Sequence, residues 1–198
     1  MELKFFDKWS VEGVKVEDPG LVNYIGLRPK VVPRTGARYA KGRFWKSKTS
    51  IVERLMNRLM VPGHRGKKHL ASSGYCTGKS STAYKLLIEA FRIIERKTKA
   101  NPIAVLVKAI ENAAPREEII AIEYGGARYP KAVEMAPQRR VDFALKFFAQ
   151  GAYQKQFNKR KHSPDALADE IINAYNLSNQ SSAIAKKLEL ERQADSSR

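Results

Sequence analysis

The sequence predicts a mainly α fold: six helices, one projecting β-hairpin and a basic, irregular N-terminal arm. Three observations carry that expectation. From residue 49 onward, apolar residues recur at spacings of three and four in segments marked off by capping residues, glycine or proline. One stretch, about 117–135, switches to a period of two on either side of Gly125-Gly126. Before residue 49 no helical period is sustained, and basic residues alternate with proline and glycine. The expected organisation is an arm over 1–48, basic from 28, and a helical domain over 49–198.

Within the arm, Val14-Lys15-Val16 and Leu21 to Ile25 read as short strands broken by Asp18-Pro19-Gly20. From Arg28 to Lys48, Pro29, Pro33, Gly36 and Gly42 work against regular structure. Tyr39, Phe44 and Trp45 are interleaved there with Arg34, Arg38, Lys41, Arg43, Lys46 and Lys48. Such a segment is suited to lying along phosphates, with its rings stacked on bases or on the protein.

The first helix opens at Ser50-Ile51-Val52-Glu53, a capping-box pattern, and carries an apolar stripe from Ile51 to Met60. Arg54 and Arg58 lie four apart on another face, and Pro62-Gly63 ends the helix. A basic, glycine-rich loop over 63–78 follows. The next helix has the cleanest pattern: Ala83, Leu86, Leu87, Ala90, Phe91 and Ile94. Asn101-Pro102 supplies an N-cap and a first-turn proline for the third, which runs to Pro115. Ile120, Ile122 and Tyr124 then alternate with Ala121 and Glu123 before the Gly125-Gly126 turn, and Ala127 to Met135 returns. A lone hairpin is marginal by itself and must lean on helices or RNA. Pro137 opens a fourth helix with Arg139, Arg140 and Lys146 outside; Ser163 is expected to cap the fifth and Ser182 the sixth.

Charge narrows the function. The formal net charge is +17, and the pI is about 10.0. Residues 31–100 carry seventeen basic against three acidic side chains, and 161–198 five against six. The excess is therefore concentrated, which implies a face for a polyanion rather than a uniform solubilising surface. Acidic membranes are the rival partner, but no basic amphipathic helix, lipidation motif or long apolar run supports them. With one cysteine, Cys76, and no secretory pattern at Met1-Glu2-Leu3-Lys4, the expected compartment is cytoplasmic.

No catalytic, metal or cofactor site is expected. Gly74-Tyr75-Cys76-Thr77-Gly78-Lys79-Ser80 has three residues between its glycines where a nucleotide-binding loop needs four, and Ser73 stands at the required first position. Lys79 at a helix start is better placed to hold an RNA phosphate. His64, His69 and His162 lack partners at zinc-ligand spacing, and nothing identifies a base for Cys76. Glu117, Glu118, Glu123 and Glu134 read as a solvated strand face. The first basic helix is followed by about sixteen loop residues, too many for a helix-turn-helix. Arg65-Gly66-Lys67-Lys68, with the arm and Arg54/Arg58, would bring cations from three elements together, and Arg128, Tyr129 and Lys131 form a smaller cluster near the hairpin tip.

Several blocks in order resemble the small-subunit ribosomal protein seven family, in its archaeal and eukaryotic branch. They are Ile51-Val52-Glu53-Arg54-Leu55, Gly66-Lys67-Lys68, Asn101-Pro102, Val105-Leu106-Val107, Pro115-Arg116-Glu117, Pro137-Gln138-Arg139-Arg140-Val141, Leu167 to Ile172, and Glu189 to Arg192 with the Ser197-Arg198 end. The resemblance covers about 24–198. It implies a six-helix ribosomal domain with the hairpin between helices three and four. It also implies binding to the 3′ major domain of small-subunit rRNA, nucleation of head assembly, and neighbouring head and platform proteins as partners. The hairpin would reach toward exit-site tRNA and the mRNA path. Contacts carried over by position are Arg54, Lys67, Lys68, Arg139 and Arg140, with Gly125, Gly126 and Arg128 at the tip. Glu117, Glu118 and Glu123 depart from the arginine-rich strand of bacterial relatives. A free-standing nucleic-acid-binding regulator using the same basic face is the alternative, and neither reading needs a small-molecule substrate.

Overall fold

The structure is a computed structural model that describes residues 3–61 and 79–198. Three short 3-10 turns, Val22–Tyr24, Arg38–Lys41 and Trp45–Lys48, precede the helices. The order then runs α1 (Ile51–Leu59), α2 (Ser80–Thr98), α3 (Pro102–Ala113), β1 (Glu117–Tyr124), β2 (Ala127–Glu134), α4 (Pro137–Gln156), α5 (Ser163–Tyr175) and α6 (Ser182–Asp195). The six helices and the hairpin agree with the sequence reading.

Helix α5 lies at the centre, packed by α2, α3 and α4. Its inward face carries Ala166, Leu167, Ala168, Ile171 and Ala174, all buried. Three alanines keep that face thin, so neighbouring backbones approach closely around a few large side chains. Those are Leu87, Phe91 and Ile94 from α2, Leu106 and Ile110 from α3, and Leu145 and Phe148 from α4.

The chain before α1 adds to this core. Phe5, Trp9, Leu21 and Ile25 are buried in it, with Trp9 edge-on to Phe91 at 5.6 Å. The Trp9 indole donates to Glu95 Oε2 at 3.1 Å, which fixes the segment on α2. The expected strands at 14–16 and 21–25 do not form, and Val22–Tyr24 is a single 3-10 turn instead. Among the described residues no strand lies beside them to form a ladder, and Leu21 and Ile25 are buried in the core with Val14 and Val16 packed against it.

Several local expectations shift. Asn101 caps α3 as expected, its side chain accepting from the Ile103 amide at 3.0 Å. The capping box at Ser50 is not made: Glu53 Oε1 accepts from the Thr35 amide at 2.8 Å and from the Thr35 hydroxyl, so the carboxylate ties down the arm. His162, not Ser163, is the N-cap of α5, and Ser181 rather than Ser182 that of α6. Both serines serve tertiary contacts, Ser163 donating to Gln156 and Ser181 to the buried Glu170.

The hairpin pairs antiparallel in register from Glu117 opposite Glu134 to Tyr124 opposite Ala127. Gly125 and Gly126 have φ of 57° and 83°, the tight turn their lack of a Cβ permits. Helix α6 packs against both strands at the base of the hairpin, and the turn end is exposed. Met135 N–H donates to the Arg116 carbonyl at 2.8 Å, and Glu191 of α6 accepts from the Arg116 amide at 3.1 Å. Of the four strand acids, Glu117 pairs with Arg198, Glu118 with Arg139 and the exposed Glu123 with Arg128, while Glu134 is exposed.

Candidate nucleic-acid interface

The 3-10 turn Trp45–Lys48 sets successive residues of the arm on alternate sides of a ridge. Phe44 and Lys46 face a groove shared with α1 and α4, whereas Trp45 and Lys48 face a cavity within the arm. The groove has a volume of about 520 Å³ and brings together Arg43, Lys46, Arg58, Arg139 and Lys146. Its rings are Tyr24, Phe44 and Phe143. Arg43 lies over the Phe44 ring at 5.4 Å, a cation–π contact that holds an otherwise exposed aromatic in place.

Asp142 is the acid at the centre of this groove. It pairs with Lys46, with Arg54 at 3.1 Å and with Arg58 at 3.8 Å. Burial alone would push its carboxyl up, but hydrogen bonds from Lys46 and Arg54 and their charges hold it below the ordinary carboxylate range. Arg54, expected on an outer face, is only 5% exposed. Its Nη1 donates to the Tyr24 carbonyl at 2.7 Å, and burial drives its pKa below that of a free guanidinium, against the pull of Asp142. Its work is to bind the arm and α4 to α1. Arg58, one turn on, is the member of that pair that reaches the groove.

The second cavity, about 1010 Å³, is lined by Lys30, Arg34, Arg38, Tyr39, Trp45 and Lys48. Arg34 Nη2 donates to Ser80 Oγ at 2.7 Å, tying the arm to the start of α2. Tyr39 is positioned by Asn57 Nδ2, which donates to its hydroxyl at 3.0 Å. Arg38 and Lys48 have no carboxylate partner among the described residues.

Other expected contacts fall elsewhere. Arg140 is held inside, with Nη2 on Asp18 at 2.8 Å and Nε on the Pro115 carbonyl at 3.1 Å. Arg139 spends part of its charge on Glu118 at 2.8 Å but stays exposed at the groove rim. Lys41 is exposed and lines neither space, and Lys79 is exposed at the α2 N-cap. Arg128 and Lys131 are exposed on the hairpin, Arg128 opposite Glu123 at 3.5 Å. Arg65, Lys67 and Lys68, with His64, His69, Cys76 and the glycines at 74 and 78, lie outside the described residues. Among the described residues no group of three or more His, Cys, Asp or Glu is placed to hold a metal ion. No described helix is long and apolar enough to cross a membrane.

Sequence reasoning missed Asp142 and Lys30. The first had a signal: it sits three residues after Arg139 and four before Lys146, on one helix face. Lys30 had none, because its place in the cavity comes from the path of an irregular segment.

A helical core with a projecting hairpin, and two adjoining cationic hollows lined with aromatic rings, is the constitution of an RNA-binding protein. Residues 22–198 match the family described as ribosomal protein S7p/S5e, and the chain belongs to it. Small ribosomal subunit protein uS7 of Nanoarchaeum equitans is 55% identical over 198 residues, covering 100% of both chains. The proteins of that name from Methanosphaera stadtmanae and Archaeoglobus fulgidus are 49% and 47% identical, over 99% and 100% of this chain and 99% and 96% of theirs. Membership in this family sets aside the free-standing regulator and any enzymatic role.

Proposed function

We propose that the protein binds the 3′ major domain of small-subunit rRNA and nucleates assembly of the head. It is a structural, non-enzymatic component of the small ribosomal subunit in the cytoplasm, with rRNA and neighbouring ribosomal proteins as partners. The observation that carries the proposal is the groove in which Arg43, Lys46, Arg58, Arg139 and Lys146 converge from three elements distant in sequence. A cation set fixed by a folded scaffold recognises the spacing of phosphates, and so the shape of the RNA, better than a mobile tail does. The exposed hairpin tip, with Tyr124, Tyr129, Arg128 and Lys131, supports a reach toward exit-site tRNA and the mRNA path at the subunit interface.

The test is binding of the purified chain to 3′ major domain RNA and to an unrelated RNA of equal length, across a salt series. A nanomolar preference that survives moderate salt is expected. Equal, salt-labile binding to both RNAs would refute specific recognition by this chain alone.

A further inference from the structure

The geometry points to Trp45 as a stacking platform for one unpaired RNA base, and so to a single-stranded nucleotide, rather than a duplex, in the arm cavity. This rests on the RNA-binding reading above and adds to it the kind of RNA that occupies this one place.

Three features carry it. First, Trp45 is half exposed and lines the cavity, whereas the other tryptophan, Trp9, is 4% exposed and packed on Phe91. Second, the indole is backed by the chain itself. A Cβ placed on Gly42 would lie 2.8 Å from each of Cδ1, Cδ2 and Cε2 of the ring. Equal distances to three atoms of the five-membered ring put that position over its face. Only glycine lets the backbone lie flat against the ring, and the ring is thereby held instead of swinging freely. Third, Arg34, Arg38 and Lys48 share the cavity with the indole, and Arg34 is oriented by Ser80. A fixed π-face surrounded by cations matches a base with its flanking phosphates. At about 1010 Å³ the cavity is at the upper end of what holds a whole small ligand, so a nucleotide has room.

The geometry selects against a duplex. In A-form RNA the faces of paired bases are covered by their neighbours, and side chains reach only edges, 2′-hydroxyls and phosphates. Away from the ends of a duplex, a base can lie on Trp45 only where the strand is unpaired. Phe44, one residue earlier, turns to the other groove and already carries Arg43 on its ring. Tyr39 also lines the cavity, but it is half-buried with its hydroxyl held by Asn57; Trp45 is the more exposed ring there.

The test uses the full chain and its tryptophan emission. An unpaired ten-nucleotide RNA should quench the emission on binding, and the change should be absent in Trp45→Phe, which assigns it to this ring. A ten-base-pair RNA duplex should bind at low salt without that change. Trp45→Leu should weaken single-strand binding about five- to a hundred-fold, the loss of one stacked base, and leave duplex binding within about two-fold. Gly42→Ala keeps every cation and the indole but displaces the ring, and should also weaken single-strand binding selectively. Trp45→Phe, which retains a ring, should stay within about ten-fold of the parent. Circular dichroism confirms that each variant keeps its helices. Equal quenching by duplex, or equal loss of both RNAs in Trp45→Leu, would overturn the platform. If 3′ major domain RNA still binds tightly while Trp45→Leu and Gly42→Ala change nothing, only the platform fails. If that RNA is not bound at all, the wider reading fails with it.

Discussion

Replacing Asp142 with asparagine should destabilise the protein and strengthen its hold on RNA, two effects of opposite sign from one charge. Arg54 is 5% exposed and its Nη2 lies 3.1 Å from Asp142 Oδ1. The asparagine keeps the shape and one acceptor but leaves a buried guanidinium without its counter-charge. Breaking such a pair on one side costs about 3–5 kcal/mol. The retained acceptor, and the Tyr24 carbonyl at 2.7 Å, place the expected loss near the lower limit, about 3 kcal/mol. For a chain of this length that corresponds to a fall in Tm of about 6–12 °C. Lys46 and Arg58, released from the same carboxylate, become available to phosphate, so RNA affinity at fixed salt should rise. Thermal melts and urea titration report the first effect, and RNA titration the second. Adding Arg54→Met should recover most of the stability, since an apolar side chain replaces the orphaned charge. A fall in Tm below about 2 °C, with no recovery in the double variant, would refute the assignment of Arg54 to the interior.

Three further outcomes follow from the same geometry. For the carboxyls of Asp18, Asp142 and Asp169, burial is the largest single influence and pushes each up, but the combined pull of their basic and, for Asp18, backbone partners holds them below their ordinary value. Each therefore takes up its proton at a lower pH folded than unfolded. Their stabilisation is complete above the ordinary value near 4 and drains away as pH falls through the lowered ones; melts from pH 6 to 2.5 should show the loss, less steeply in Asp142→Asn. Gly151→Ala should cost about 1–3 kcal/mol in urea titration, because the new Cβ would sit 2.8 Å from Glu170 Oε1 and from Ser182 Cβ, where α4 meets α6 around a buried carboxylate. Arg58→Ala should reduce the slope of log affinity against log salt by about 0.7–0.9 with little change in stability, whereas Arg54→Ala should mainly lower stability.

What the sequence made legible divides along a physical line. Helices α2, α3 and α4 could be placed because the 3.6-residue period and first-turn signals such as Asn101-Pro102 are local. The hairpin could be placed because two consecutive glycines between alternating segments have few other uses. What failed depended on distant partners. Glu53 fits a capping box by local spacing, yet Thr35, eighteen residues earlier, takes its carboxylate. Arg140 looks as free as Arg139 until Asp18, 122 residues away, is found beside it. Net charge cannot separate the cations that bind RNA from those that hold the fold.

That separation has a consequence for how the arm and the RNA meet. Arg54, Glu53 and Arg34 each join the arm to the helices through a side chain contact. The exposed cations Arg38, Lys48, Arg43 and Arg58 stand on the surfaces those contacts shape. An arm that was wholly unfolded would pay its ordering entropy on binding RNA, about 1–2 kcal/mol for each residue fixed. Here these links have met part of that cost before the RNA arrives. Cutting the Glu53–Thr35 link at Glu53, which lines neither hollow, should therefore weaken RNA binding. Substituting Lys41, which lines no groove, should cost far less despite removing a full charge. The pair of substitutions distinguishes preorganisation from simple charge density, because a polycation would respond in the opposite order.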